Sequence, residues 1–158
     1  MIVAIGVDLC AVDRIRRALE APTGVRFRTR VFTPAEQAYC EARRRARFAS
    51  YAARFAAKEA AMKALGTGWS AGVGWRDFEV VRAPGAAPQL VLHGKAAALA
   101  RRRGMVRWLV TLSHDRGGAV ASVIVEGRSG VTAASASAAE RRRDGAGRSG
   151  RRRPTGRR

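Results

Sequence analysis

A chain of 158 residues, 47% of them hydrophobic, is long enough for one domain with a buried core and too short for two of ordinary size. Its 31 Lys and Arg face 12 Asp and Glu, and the formal net charge of +19 makes an acidic partner or a polyanionic ligand the expectation. No apolar run approaches membrane-spanning length, no leader-like stretch opens the chain, and two cysteines make neither a disulfide framework nor a metal-binding spacing. A soluble, cytoplasmic protein with Cys10 and Cys40 in its core is expected.

Residues 2–7 form a short apolar, partly β-branched run, read as a buried strand that Asp8 follows. Asp13 is placed to cap a helix over residues 13–21. Its apolar stripe is Val12, Ile15 and Leu19, Arg14 and Arg17 project elsewhere, and Pro22 and Gly24 end it. Thr33-Pro34-Ala35-Glu36 is a helix start, with a Thr cap, Pro at the first helical position and Glu at the third; the helix should reach about residue 44. The Ala-rich stretch from Ala46 or Phe48 to Leu65 has no internal Gly or Pro and predicts the longest helix, with Gly66 as a left-handed stop. Phe78–Val81 and Gln89–Leu92 read as a strand pair across a Pro-Gly turn, and residues 95–103 as a short helix ended by Gly104. Alternating Val106, Trp108, Val110 and Leu112 predict one strand and residues 119–126 another, joined through Asp115-Arg116-Gly117-Gly118. Strands and helices mix without a regular βαβ order. The expected fold is α+β, an antiparallel sheet packed with one long and several shorter helices.

Composition changes after Glu126. Residues 127–158 hold only Gly, Ala, Ser, Thr, Pro, a single Val and charged side chains, too little apolar surface to offset conformational entropy. A disordered, Arg-rich tail is therefore expected beyond a folded domain of residues 1–126. The tail carries ten Arg against Glu140 and Asp144, a net +8, which leaves +11 on the domain.

The chemistry centres on a few side chains. Glu59 and Lys63 stand one helical turn apart on one face, a spacing often found in exposed pairs worth about 0.2–0.5 kcal/mol. Here the pair lies in an apolar helix that runs into Gly66-Thr67-Gly68, whose backbone N–H groups suit an anion-binding nest. Asp8, after an apolar strand, is costly unless it meets a cation or donors. Asp8 with Glu59 would suit Mg²⁺, which takes one or two carboxylates, waters and phosphate oxygens, and Lys63 would balance phosphate charge as a point cation. Ser113-His114-Asp115 is not a catalytic relay, because consecutive strand residues point to opposite faces. His114 reads equally as a phosphate donor at a strand end or as an edge histidine. His93, without polar context, is expected to be structural.

These residues carry a resemblance. Ile5-Gly6-Val7-Asp8 followed by Arg14, then Arg54-Phe55-Ala56-Ala57-Lys58-Glu59-Ala60 with Lys63 and Gly66-Thr67-Gly68, then Leu112-Ser113-His114-Asp115, resemble the holo-[acyl-carrier-protein] synthases. These are the small, homotrimeric 4′-phosphopantetheinyl transferases. The Lys-Glu-Ala block with its Gly-Thr-Gly end is the most specific part, and the likeness covers residues 1–126. It implies the 4′-phosphopantetheinyl transferase fold and a reaction in which a serine of an apo acyl carrier protein attacks the β-phosphate of coenzyme A, adenosine 3′,5′-bisphosphate leaving. It further implies Mg²⁺ held by Asp8 and Glu59, Lys63 on the pyrophosphate, and Gly66, Thr67, Gly68, Arg45, Arg54 and His114 on the coenzyme. His114 would come from a neighbouring protomer, since such sites lie between subunits. The general base stays open between metal-bound water and a side chain, and Asp115 has no assigned part.

Carrier proteins of this kind are small and acidic, so Arg14 and Arg17 are placed to dock an acidic helix, with Arg26, Arg28 and Arg30 extending the patch; such charge speeds encounter more than it tightens the complex. The alternative is a basic nucleic-acid-binding protein, motivated by +19 and the Arg-rich tail. Against it, the chain has no recognition helix or aromatic single-strand platform of the usual modules, so no specific nucleic acid is expected.

Overall fold

The computed structural model describes residues 1–68 and 72–128. Strand β1 (Ile2–Ala11) is one edge of an antiparallel sheet of order β1-β5-β4, where β4 is Met105–His114 and β5 is Gly118–Gly127. The strand does not stop before Asp8. Asp8 pairs with Ala121 inside it, and pairing continues to Ala11 because Asp8 and Cys10 stay on the face that a helix covers. Nor is β1 buried on both sides within one chain. Gly6 and Cys10 are buried with Ala119, Ala121, Val123 and Val125, whereas Ile5, Val7 and Leu9 remain 61%, 50% and 73% exposed on the opposite face.

The covering element is α4 (Arg47–Leu65), whose Ala-rich surface lies directly on β1. A Cβ at Gly6 would stand 1.9 Å from the Ala60 carbonyl oxygen, so only a residue without a side chain permits this approach. Gly66 closes α4 at φ 74°, and its N–H bonds the Met62 and Lys63 carbonyls at 3.0 Å. The Arg103 guanidinium reaches the Leu65 carbonyl and caps the same end.

Three shorter helices precede α4. In α1 (Val12–Glu20), Asp13 is not the cap. The helix starts straight from β1 with Ala11 at the cap position, and Asp13, inside the first turn, pairs with Arg16 at 3.6 Å instead. Helix α2 (Gly24–Val31) was not legible in the sequence; Phe27 and Val31 face inward, and Phe27 packs on Phe32 and Phe55. Helix α3 (Pro34–Ala42) has the expected capping box, Thr33 Oγ1 accepting the Glu36 N–H at 3.3 Å while Glu36 Oε2 accepts the Thr33 N–H at 2.9 Å.

A second sheet pairs β2 (Phe78–Val81) with β3 (Gln89–Leu92), and α5 (Gly94–Arg102) leads into β4. Strand β5 passes the expected boundary by one residue, and Arg128 N–H still bonds the Gly104 carbonyl at 3.1 Å. The expected tail beyond it lies outside the described residues. Among the described residues no helix is long and apolar enough to cross a membrane.

A fully buried ion pair ties these layers. Lys58 Nζ lies 2.8 Å from Glu36 Oε2, and also donates to the carbonyls of Trp75 (3.1 Å) and Phe78. Glu36 Oε1 accepts the Val80 N–H at 3.0 Å, so α3, α4 and β2 meet at one charge. Burial presses Lys58 below its usual range, and the Glu36 carboxylate opposes that shift. The expectation for His93 also changes. Its Nε2 meets Glu79 Oε2 at 2.8 Å, and Thr33 Oγ1 donates to the other Glu79 oxygen at 2.6 Å, a polar context made only by folding.

Two outcomes follow for stability. Gly6→Ala should cost about 1–3 kcal/mol or more in urea denaturation, since α4 must lift from β1 to admit a methyl group. Lys58→Met should cost about 3–5 kcal/mol by leaving the Glu36 carboxylate buried without its cation; an unchanged midpoint would show that the pair contributes nothing.

Candidate active site

The contact of α4 with β1 brings Asp8, Glu59 and Lys63 together. Glu59 is half-buried, and its carboxyl lies within hydrogen-bonding reach of Asp8. Burial pushes Glu59 above the ordinary carboxylate value and the Asp8 charge adds to this, with Arg14 and Lys63 pulling the other way. Lys63 does not turn to Glu59 as a simple helix pair would. Its Nζ sits 2.7 Å from Asp8 Oδ1 and 3.0 Å from the Val7 carbonyl oxygen. The Asp8 side chain is only 11% exposed, so a cation is what makes its charge tolerable there. Two adjacent carboxylates already facing an ammonium form a hard-oxygen donor set that fits Mg²⁺.

A second cluster forms on the other side of α4. Arg54 is five residues from Glu59, about 140° around the helix. It is 97% removed from solvent, and among the described residues no carboxylate pairs with it. Its guanidinium lies 3.8 Å over the Tyr39 ring, Nη1 reaches the Ser50 carbonyl at 3.5 Å, and Nε has no acceptor among the described residues. A cavity of about 260 Å³ opens beside it, lined by Tyr39, Ser50, Arg54, Arg82, Ser113 and His114. His114 ends β4, the opposite sheet edge from Asp8, so the two predicted groups of ligands lie at opposite edges of the sheet on either side of α4.

Other expectations fare unevenly. Arg45 is exposed on the single 3₁₀ turn between α3 and α4, and Arg43, not Arg45, lines the neighbouring cavity of about 380 Å³ with Arg82. Within Gly66-Thr67-Gly68 the Gly66 N–H is consumed by the helix cap, so it is not open to an anion, and the negative end of the helix dipole there favours Lys63 over phosphate. Asp115 accepts the N–H groups of Gly117 and Gly118, both at 2.8 Å, which holds its carboxyl below the usual range; it is a turn residue of the hairpin that carries His114. Arg14 lies 5.2 Å over Phe55 and near Glu59, at the edge of the carboxylate site, and Arg17 is exposed one turn on. Burial raises the thiols to about 11 at Cys10 and about 12 at Cys40, so both stay neutral and inert.

Tyr39, Ser50 and Arg82 were missed by the sequence reading. Tyr39 on α3 and Arg43, the C-cap of that helix, are four apart and so share its face, a usable signal, but nothing in the chain order links them to Arg82.

A family model described as the 4′-phosphopantetheinyl transferase superfamily matches residues 4–122. A holo-[acyl-carrier-protein] synthase of Anaeromyxobacter dehalogenans is 56% identical over 129 residues, covering 80% of this chain and 98% of that protein. Among solved structures, the holo-[acyl-carrier-protein] synthase of Neisseria meningitidis is similar with a TM-score of 0.70 and 30% identity, over 80% of this chain and 99% of that one. The Helicobacter pylori enzyme in complex with coenzyme A follows with a TM-score of 0.67 and 28% identity, over 77% and 99%.

Proposed function

Because this chain belongs to the 4′-phosphopantetheinyl transferase superfamily, in its holo-[acyl-carrier-protein] synthase branch, we propose that it transfers 4′-phosphopantetheine from coenzyme A to a serine of an acidic acyl carrier protein. The observation that carries this reading is the meeting of Asp8, Glu59 and Lys63 on the β1 face of α4. Asp8 and Glu59 are the residues that would hold Mg²⁺, which supplies charge neutralisation to the coenzyme's diphosphate. Lys63, already an ion partner of Asp8, turns to the same diphosphate and offsets charge as the bond to the leaving group breaks. The serine oxygen forms the new bond to the β-phosphorus, its proton passes to solvent or a base, and adenosine 3′,5′-bisphosphate leaves. The Gly66-Thr67-Gly68 turn lies next to Lys63 along the chain and borders this end of the site.

Arg54 and His114, with Arg82, receive the 3′-phosphate end. A buried guanidinium with no carboxylate partner among the described residues is stabilised by an anionic ligand, and phosphate fits its planar fork. The two clusters lie at opposite edges of the sheet on either side of α4, so one coenzyme reaches both when two protomers contribute. The apolar outer face of the sheet (Ile5, Val7, Leu9, Leu109) supplies the surface for a homotrimer with sites at its interfaces. Arg14 and Arg17 dock the acidic carrier beside the carboxylates. A reducing, cytoplasmic setting fits two free buried thiols.

With coenzyme A, Mg²⁺ and an apo carrier, mass spectrometry should show the carrier gaining phosphopantetheine, and chelator should stop it. Asp8→Asn and Glu59→Gln should each remove most turnover while circular dichroism stays native; full activity in either would overturn the metal assignment. Sedimentation should give a mass three times that of one chain, and Val7→Asp on the outer face should yield monomers without turnover.

A further inference from the structure

Tyr39 is the meeting point of the Arg54 cluster. It is half-buried on α3 and, with Arg82, lines three cavities among the described residues, one of about 260 Å³ and two of about 380 Å³. Both ring and hydroxyl are engaged by cations. The Arg54 guanidinium lies 3.8 Å from the ring centroid, the Arg43 guanidinium 4.8 Å, and Arg43 Nη2 donates to the hydroxyl at 2.6 Å.

We propose that Tyr39 is a positioning residue for phosphate selectivity, holding the Arg54 guanidinium over its ring and Arg43 at its hydroxyl so that each charge borders a cavity that Arg82 also lines. The inference rests on the reading above that this cavity takes the 3′-phosphate of the nucleotide.

Arg54 needs such a support. It is desolvated and lacks an ionic partner among the described residues, and its backbone contact to Ser50 is long. The negative face of the Tyr39 ring is a close counter-field for it, and cation–π attraction is strongest when the cation is desolvated. Stacking also fixes the plane of the fork, which decides whether phosphate is met by two N–H groups or by one. A leucine would fill the same space on α3 and supply neither field nor plane. Convergence of charge is also registered on the phenol. Burial would raise it, yet the Arg43 hydrogen bond and the charges of Arg43, Arg54 and Arg82 hold it below its ordinary value. Three guanidinium groups around one phenol repel one another, and a phosphate dianion relieves that repulsion where a neutral ribose hydroxyl does not.

The test is calorimetric binding to the full-length protein of adenosine 3′,5′-bisphosphate and of adenosine 5′-monophosphate, which differ by the 3′-phosphate alone. The wild-type chain should prefer the bisphosphate. Tyr39→Leu should lower that preference about tenfold, the loss of one desolvated cation–π contact. Tyr39→Phe, which keeps the ring, should retain most of it. Should Tyr39→Leu fail to fold, Tyr39→Gln serves with the same expected loss. Arg54→Ala separates the two levels. If it leaves the preference intact, or the wild type has none, the phosphate reading of the cavity fails. If it abolishes the preference while Tyr39→Leu keeps it, or if Tyr39→Phe loses as much as Tyr39→Leu, the positioning role of the ring is wrong and the phosphate reading stands.

Discussion

Everything chemical in this molecule depends on how closely one helix lies on one strand. The Ala60 carbonyl of α4 occupies the place where any side chain of residue 6 would begin. That contact sets the distance between two segments about fifty residues apart, and so decides that Asp8 meets Glu59 and Lys63. Small residues make the approach possible: Gly6 on the strand, and Ala56, Ala57, Ala60, Ala61 and Ala64 along a helix that is buried nearly all round. A larger side chain at the crossing would leave both elements intact and pull the carboxylates apart.

Neighbouring residues of one helix block have opposite fates. Lys58 points away from the strand and is sealed with Glu36, Trp75 and Phe78, where it joins three elements and is shut off from any ligand. Glu59 and Lys63 point toward β1 and stay within reach of solvent. The split follows from helical geometry, since one residue is about 100° of rotation. It separates a charge that organises the core from charges that act at the surface.

The same rotation keeps Arg54, four residues before Lys58, on nearly the same side of the helix as Lys58, against Tyr39 and the end of β4, while Asp8 sits on β1 at the opposite edge of the sheet. The two clusters thus stand at opposite edges of one sheet, and under the proposed reading a second protomer, meeting the apolar outer face of the sheet, would bring both to one coenzyme. The basic exterior of α1 then borders the carboxylate side of the site, where Arg14 lies near Glu59.

Periodicity, caps and composition in the chain were enough for most of the elements. The capping box at Thr33, the left-handed stop at Gly66, the β2–β3 pair and the order of the last two strands are local events, dictated by side chains within a few residues of the backbone they control. Helix α2 escaped because its residues are poor helix formers, and it is held by Phe27 and Val31 packing on distant partners. Asp8 and Glu59 were legible as a carboxylate pair suited to one divalent ion with Lys63 beside it, but the contacts that place the three were not. That Lys63 bonds Asp8, that His93 meets Glu79, and that Tyr39 gathers Arg54 and Arg82 are contacts between separate segments, which chain order does not encode. The sequence by itself determined most of the elements and the chemical identity of the candidate groups, because those depend on local torsions and on side-chain type. Only the tertiary structure decided which groups share a face, because that is set by close packing across a sheet and around one helix.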